Sequence, residues 1–310
     1  MGCVAARASG RNEELIGRRA PKAARSPKVF DKAMSLTSET SRWTEPPEGT
    51  VEHWAYDYVR GEVLESKFAP PPVPLVWEDN PPVRRIERPG RAASVRVVLR
   101  ATKAPGPDAM RDPARRAELV HRFLHHELQA AELMCWALLA FPDAPHALRK
   151  GILNIFGDEI RHMVMYRGQL EKLGYSYGDF PVRDWFWHRV PQSPTPAHFV
   201  AVMGMGFEGG NLDHAARFEK RFAAIGDEEG ARIQAVIGAE EESHVRFALH
   251  WFEHLTKCVD FDTWRAHLPV PLSPMIMRGT PQNKAARLRA GFSEEFLAEL
   301  EQWEPDPRGS

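Results

Sequence analysis

Two short patterns in the chain carry the residues best suited to chemistry. Glu159-Ile160-Arg161-His162 and Glu241-Glu242-Ser243-His244 each set a carboxylate and an imidazole three residues apart. On a helix, residues i and i+3 share a face, so each pair aims one oxygen and one nitrogen ligand in the same direction. A lone acid inside an apolar stripe precedes each pair. Glu127 falls among Phe123, Ala131 and Met134, and Glu208 among Gly204, Met205 and Leu212. Glu127 and Glu159 are 32 positions apart, Glu208 and Glu241 33. A single Glu-x-x-His on a helix is common and means little. Two copies, each with its own leading glutamate at nearly equal spacing, are much harder to reach by chance.

Four glutamates brought together in an apolar core cannot stay ionised unaided, because burying even one unpaired carboxylate is heavily penalised. Two divalent cations resolve this. Four carboxylates and two imidazoles are the ligand set of di-iron and di-manganese carboxylate centres. The expected metal ligands are therefore Glu127, Glu159, His162, Glu208, Glu241 and His244. The alternative is that the acids face solvent or pair with Arg161, Arg167 and Arg246. Arg161 and Asp158 flank the ligands and are expected to support them from outside.

The elements that must position these residues are four long helices. Asp112 with Pro113 predicts a capped start, and the first helix runs to Phe141-Pro142. A second runs from Ala144-Pro145 to Gly174, a third from Thr195-Pro196 to about Gly226, and a fourth from Asp227 to about Cys258. Ile152, Ile155, Phe156, Met163, Tyr166, Leu170 and Leu173 keep three-and-four spacing on the second, and Ile233, Val236, Ile237, Val245, Ala248, Phe252 and Leu255 on the fourth. Two short connections and one long link, Tyr175 to Thr195, predict two helical hairpins joined by a crossover. That is an all-α, ferritin-like four-helix bundle. At about 1.5 Å of rise per residue, the four acids are expected to meet near its middle.

The flanks read differently. Residues 1–40 form a basic arm, with Arg7, Arg11, Arg18, Arg19, Lys22, Arg25 and Lys28 against Glu13 and Glu14; a disordered tail is the expectation, ahead of a nucleic-acid arm. Residues 41–111 are rich in proline and are expected to wrap over the core, with a short strand conceivable at Val95–Leu99. Residues 112–258 hold the bundle, and 259–310 a C-terminal extension packing on it. The net charge of −1 excludes a global basic field. Cys3, Cys135 and Cys258 form no CxxC pair, which argues against thiolate zinc and disulfides and for a reducing, cytoplasmic setting. No apolar run reaches membrane-span length.

His125-His126-Glu127-Leu128-Gln129-Ala130, Asp158-Glu159-Ile160-Arg161-His162 and Glu240-Glu241-Glu242-Ser243-His244-Val245 resemble the motifs of a ferritin-like bacterial family catalogued as a domain of unknown function. The approach from Phe68 to Pro74 and the tail around Ala290-Gly291-Phe292-Ser293 are similar to it too, so the likeness spans roughly residues 60–303. The chain departs from it at Gly209-Gly210, where a bulkier pair is expected. The resemblance implies kinship with di-iron enzymes, among them a tRNA-modifying hydroxylase and oxygenases of small aromatic amines.

The leading expectation is a di-iron oxidase or oxygenase: two iron ions (or manganese, or one of each), dioxygen as co-substrate, an organic substrate, an electron donor as partner, and a monomer or small homo-oligomer. Iron oxidation, storage or peroxide defence without an organic substrate is the second reading. A tRNA-modifying hydroxylase and a non-catalytic binding module are the others. Gly204, Gly206, Gly209 and Gly210 around Glu208 predict either a cavity with a distorted helical turn or close helix packing. Trp185, Phe186 and Trp187 are expected to pack on the helices or to cover a pocket. His121 and His125 are expected to be satisfied core or surface groups, His250 and His254 to be structural, and Tyr166 to be a core tyrosine near the site.

Overall fold

The computed structural model of the chain describes residues 44–100 and 106–305. The basic arm expected over 1–40 lies outside the described residues. Everything that positions the site is helical. Helix α1 spans Val51–Arg60 and α2 Leu64–Phe68; α3 spans Pro113–Ala140 and α4 His146–Lys172. A third long rod is built from α5 (Pro196–Phe199), a π-helical stretch Val200–Glu208 and α6 (Gly209–Ala224). Helix α7 spans Glu228–Thr256, followed by α8 (Phe261–Ala266), α9 (Lys284–Ala290) and α10 (Glu294–Gln302).

Local chemistry sets the ends. The Asp112 side chain accepts from the Ala114 amide, and Pro113 supplies the first-turn φ of α3. Helix α4 stops in a left-handed glycine: Gly174 has φ +83°, its amide donates to Glu171 O, and Tyr175 N donates back to Leu170 O. Asp227 caps α7 through the Gly230 amide, with Glu228 and Glu229 on its positive end. Only five residues separate α3 from α4 and three separate α6 from α7, so each pair must double back and pack side by side. The π stretch lies on α7, and α4 also packs on α7, which joins the two pairs. Trp136, Phe222, Phe252, Leu124, Leu128 and Leu133 are fully buried between them.

The proline-rich segment contains a helix that its prolines obscure. Val51, Trp54, Ala55, Tyr58 and Val59 are the buried stripe of α1, Thr50 caps it, and the stripe packs on α3. The strand conceived at Val95–Leu99 does not form: Val97 makes only an isolated bridge to Val182. Past α7 the chain returns over the core. Trp264 Nε1 donates to Ala201 O at 2.9 Å, and buried Arg287 on α9 pairs with Asp213 on α6 at 2.6 Å. No helix among the described residues is long and apolar enough to cross a membrane.

Candidate metal centre

The structure brings all six expected ligands together in the buried interior. Glu127 comes from α3, Glu159 and His162 from α4, Glu208 from the last position of the π stretch, and Glu241 and His244 from α7. They form two overlapping groups. In one, Glu127, Glu159, His162 and Glu241 each offer a ligand atom, all within 4.8 Å of one another; in the other, Glu159, Glu208, Glu241 and His244 do the same. Glu159 and Glu241 belong to both groups, while Glu127 and Glu208 belong to one each. Each group could hold a metal ion.

The glycines explain how Glu208 reaches its place. A Cβ on Gly204 would lie 2.4 Å from Ala248 Cβ on α7, and one on Gly210 would lie 2.6 Å from the Ile276 carbonyl oxygen. Hydrogen alone fits at both points, so α7 and the Pro274–Ile276 turn approach the rod closely on either side of Glu208. The wider π turn ends at that acid. Both expectations for the glycines, a distorted turn and close packing, are met at once.

The imidazoles are aimed from outside. His162 Nε2 donates to Glu240 Oε2 at 2.7 Å, and His244 Nε2 donates to Asp158 Oδ2 at 3.1 Å. That leaves Nδ1 of each ring facing the cluster: His162 Nδ1 lies 3.6 Å from Glu127 and 3.7 Å from Glu159, and His244 Nδ1 lies 3.0 Å from Glu241 and 3.5 Å from Glu159. Arg161 binds both outer acids, Asp158 directly and Glu240 at 2.9 Å. Asn211 Nδ2 donates to Glu241 Oε1 at 3.0 Å.

The interior is short of positive charge. Both Glu159 oxygens, Glu208 Oε1 and His162 Nδ1 are buried with no hydrogen-bond partner among the described residues. Burial pushes the Glu127 and Glu208 carboxyls well above the usual range, reinforced at Glu208 by Glu241 and Glu159. At the imidazoles burial works downward, but the surrounding carboxylates overcome it. The neighbouring Glu127 and Glu159 carboxylates push His162 up to about 12, and Glu241 with Asp158 push His244 up to about 10. The hydrogen bond from His244, aided by Arg161, draws Asp158 down to about 2. Protons held this tightly stand where cations would otherwise balance the acids. Oxygen-rich, imidazole-containing and free of thiolate, the donor set suits hard to borderline divalent metals.

A cavity of about 530 Å³ opens beside the cluster and is lined by Glu127 and Glu208, the two unshared acids. Trp185 and Phe186 form part of its wall, with Phe186 stacked on Phe207 at 4.5 Å. Trp187 instead packs inside and donates Nε1 to Glu132 at 2.9 Å. Tyr166 lines the cavity and accepts from Gln234 at 2.7 Å.

The other sequence candidates fall away from the ligands. His121 accepts from the Gly178 amide at 2.9 Å, and His125 bonds Tyr177 at 2.7 Å and lies 3.1 Å from Asp184. His250 and His254 make edge contacts with Trp251. Glu240, Asn211 and Gln234 were not anticipated. For Glu240 a signal existed: an acid directly precedes each Glu-x-x-His, Asp158 in one copy and Glu240 in the other.

The described residues thus define a helical protein with paired glutamate and histidine groups in its core. Residues 49–298 match the family described as "Protein of unknown function (DUF455)", and the chain belongs to that family. An "Uncharacterized protein" of Haemophilus influenzae is 26% identical over 202 residues, covering 60% of this chain and 69% of the relative. No solved structure matches the chain.

Proposed function

We propose that the chain is a ferritin-like four-helix bundle that holds two iron ions on Glu127, Glu159, His162, Glu208, Glu241 and His244, and that it oxidises an organic substrate with dioxygen. One observation carries this reading. Two four-residue groups share Glu159 and Glu241, and within them both Glu159 oxygens, Glu208 Oε1 and His162 Nδ1 are buried without a hydrogen-bond partner among the described residues. Two cations held by Glu127, Glu159, His162, Glu208, Glu241 and His244 would satisfy these atoms. The donor chemistry favours iron, with manganese or a mixed pair as the alternative loading.

When bound, the metal pair supplies the activation of dioxygen and the oxidising power. The chain's own residues do the rest. Asp158 and Glu240 accept the Nε2 protons of His244 and His162, which leaves each Nδ1 lone pair turned inward. Asn211 fixes one oxygen of Glu241. Burial keeps bulk water from the ligands, and the cavity brings substrate in on the side of Glu127 and Glu208. A chamber of this size favours an organic substrate over iron storage, which needs none.

The test is elemental mass spectrometry on protein purified from its native host and on protein loaded with ferrous iron under anaerobic conditions. About two metal ions per chain are expected, by the two-metal ligand count, with none in the Glu159→Ala/Glu241→Ala variant. Oxygen uptake by the ferrous protein should vanish in the same variant. No metal in the wild-type chain after loading would sink the reading.

A further inference from the structure

The cavity beside the cluster combines aromatic and cationic lining. Phe123, Trp185, Phe186, Phe207 and Phe218 supply rings. Arg122, Arg183, Arg217 and Arg278 supply guanidiniums, and among the described residues the only acids lining the cavity are Glu127 and Glu208, both assigned to the metals.

Two of the four arginines are already engaged. Arg122 pairs with Glu118 at 2.6 Å, and Arg278 donates to the Trp303 and Glu301 carbonyls at 2.7 and 3.1 Å. Arg183 and Arg217 differ. Among the described residues neither forms an ion pair, since Asp213 near Arg217 is already paired with Arg287, and the Nε of each is buried without a hydrogen-bond partner. Arg217 donates to the Thr280 carbonyl at 3.3 Å and lies over the Phe218 ring at 5.1 Å. They come from separate elements, Arg183 from the link after α4 and Arg217 from α6. A guanidinium half-withdrawn from water and lacking an acid is costly, and an incoming anion offsets that cost with charge-assisted hydrogen bonds.

We propose that the cavity takes an anionic organic molecule with an apolar, ring-sized body, its carboxylate or phosphate neutralised by Arg183 and Arg217 and its body lying along the aromatic rings toward Glu127 and Glu208. The volume of about 530 Å³ is that of a small-molecule site. A neutral or cationic ligand would meet the aromatic rings but leave both guanidiniums unpaired. This names a substrate class for the oxidase reading and rests on that reading for the chemistry, though not for the binding.

The test is titration calorimetry on the full chain, metal-free and iron-loaded, with 4-phenylbutyrate, phenyl phosphate and the neutral 4-phenylbutyramide. The better-fitting anion should bind roughly tenfold tighter than the amide in both forms, and which anion wins identifies the head group. Arg183→Gln and Arg217→Gln should each remove most of that preference while leaving amide affinity unchanged, and Arg183→Lys should restore part of it. Equal binding of acid and amide, no binding of either anion, or a preference indifferent to both glutamine variants overturns the proposal. A preference seen only after iron loading and insensitive to the arginines puts the anion on the metals; this proposal then fails while the metal centre stands. An arginine-dependent preference in a chain that takes up no iron does the reverse.

Discussion

The carboxylate of Asp158 on α4 accepts a hydrogen bond from His244 on α7 at 3.1 Å. The relation is returned: Glu240 on α7 accepts from His162 on α4 at 2.7 Å. Each acid immediately precedes a ligand glutamate on its own helix and orients the imidazole of the other. Arg161 then binds both acids. The two helices therefore orient each other's imidazoles, and the geometry of one half depends on the register of the other.

Removing either outer acid should weaken metal binding without unfolding the chain, because both are only partly buried. Glu240→Gln and Asp158→Asn should each lower metal affinity about 10–100-fold. Chelator competition measures this, with far-ultraviolet circular dichroism unchanged. Wild-type affinity in both variants would mean that these acids do not position the rings.

Metal uptake should release protons. In the cation-free chain His162 is pushed up to about 12 and His244 up to about 10, so both rings are protonated at neutral pH. A metal must displace those protons, and affinity therefore rises with pH and falls as the site is acidified. Calorimetry in two buffers of different ionisation enthalpy should give different apparent binding enthalpies. Identical enthalpies would contradict this.

Gly210→Ala should destabilise the fold by about 1–3 kcal/mol, since the new Cβ would meet the Ile276 carbonyl at 2.6 Å. Gly168→Ala is the control. That position lies within α4 with nothing inside 4 Å of the added carbon, so the change should raise stability by about 0.5–1 kcal/mol. Tm separates the two, and a Tm drop at Gly168 or none at Gly210 would refute the packing argument.

Stability should also depend on a buried acid remote from the ligands. Glu132 is enclosed by Lys67 at 3.0 Å, by Arg91 and by Trp187 Nε1 at 2.9 Å. Burial alone would raise its pKa, but Arg91 and Lys67 hold it below the ordinary value. Its contribution is thus complete above the unfolded-state pKa and is lost as pH falls through the depressed folded value. Glu132→Gln leaves Lys67 buried without its acid, while Arg91 keeps Asp184 at 2.8 Å, and should cost about 3–5 kcal/mol at neutral pH. Denaturant titrations across the acid range should show that deficit shrinking toward low pH.

The convergence of the six Glu and His residues was legible because their signal is periodic. Glu127, Glu159, Glu208 and Glu241 interrupt apolar stripes with nearly equal spacing inside each pair, 32 and 33 residues, and Asp112, Pro113 and Asp227 mark the helix starts within a residue or two. Helix α1 was not legible, since prolines on its C-terminal side dominate the reading of that segment, although Thr50 and the spacing from Val51 to Val59 carry the pattern. Asn211 and Gln234 depend on contacts across helices, on Glu241 and Tyr166, and local spacing holds no trace of those. Nor does it hold the cationic lining, which joins Arg183 in a loop to Arg217 on a helix.

The π turns between Val200 and Glu208 add residue to a rod without adding a matching turn. Ahead of them, Phe199 stays seated near Trp136 and Phe141, with ring centres 6.3 and 6.1 Å apart. Behind them, Gly209 and Gly210 stay against the Ile276–Met277 backbone and side chains. The stretch works as a phase shifter, letting the two ends of one rod hold rotational settings that a uniform helix could not reconcile. Deleting a single residue inside it would leave both anchors intact and turn Glu208 away from Glu159, Glu241 and His244.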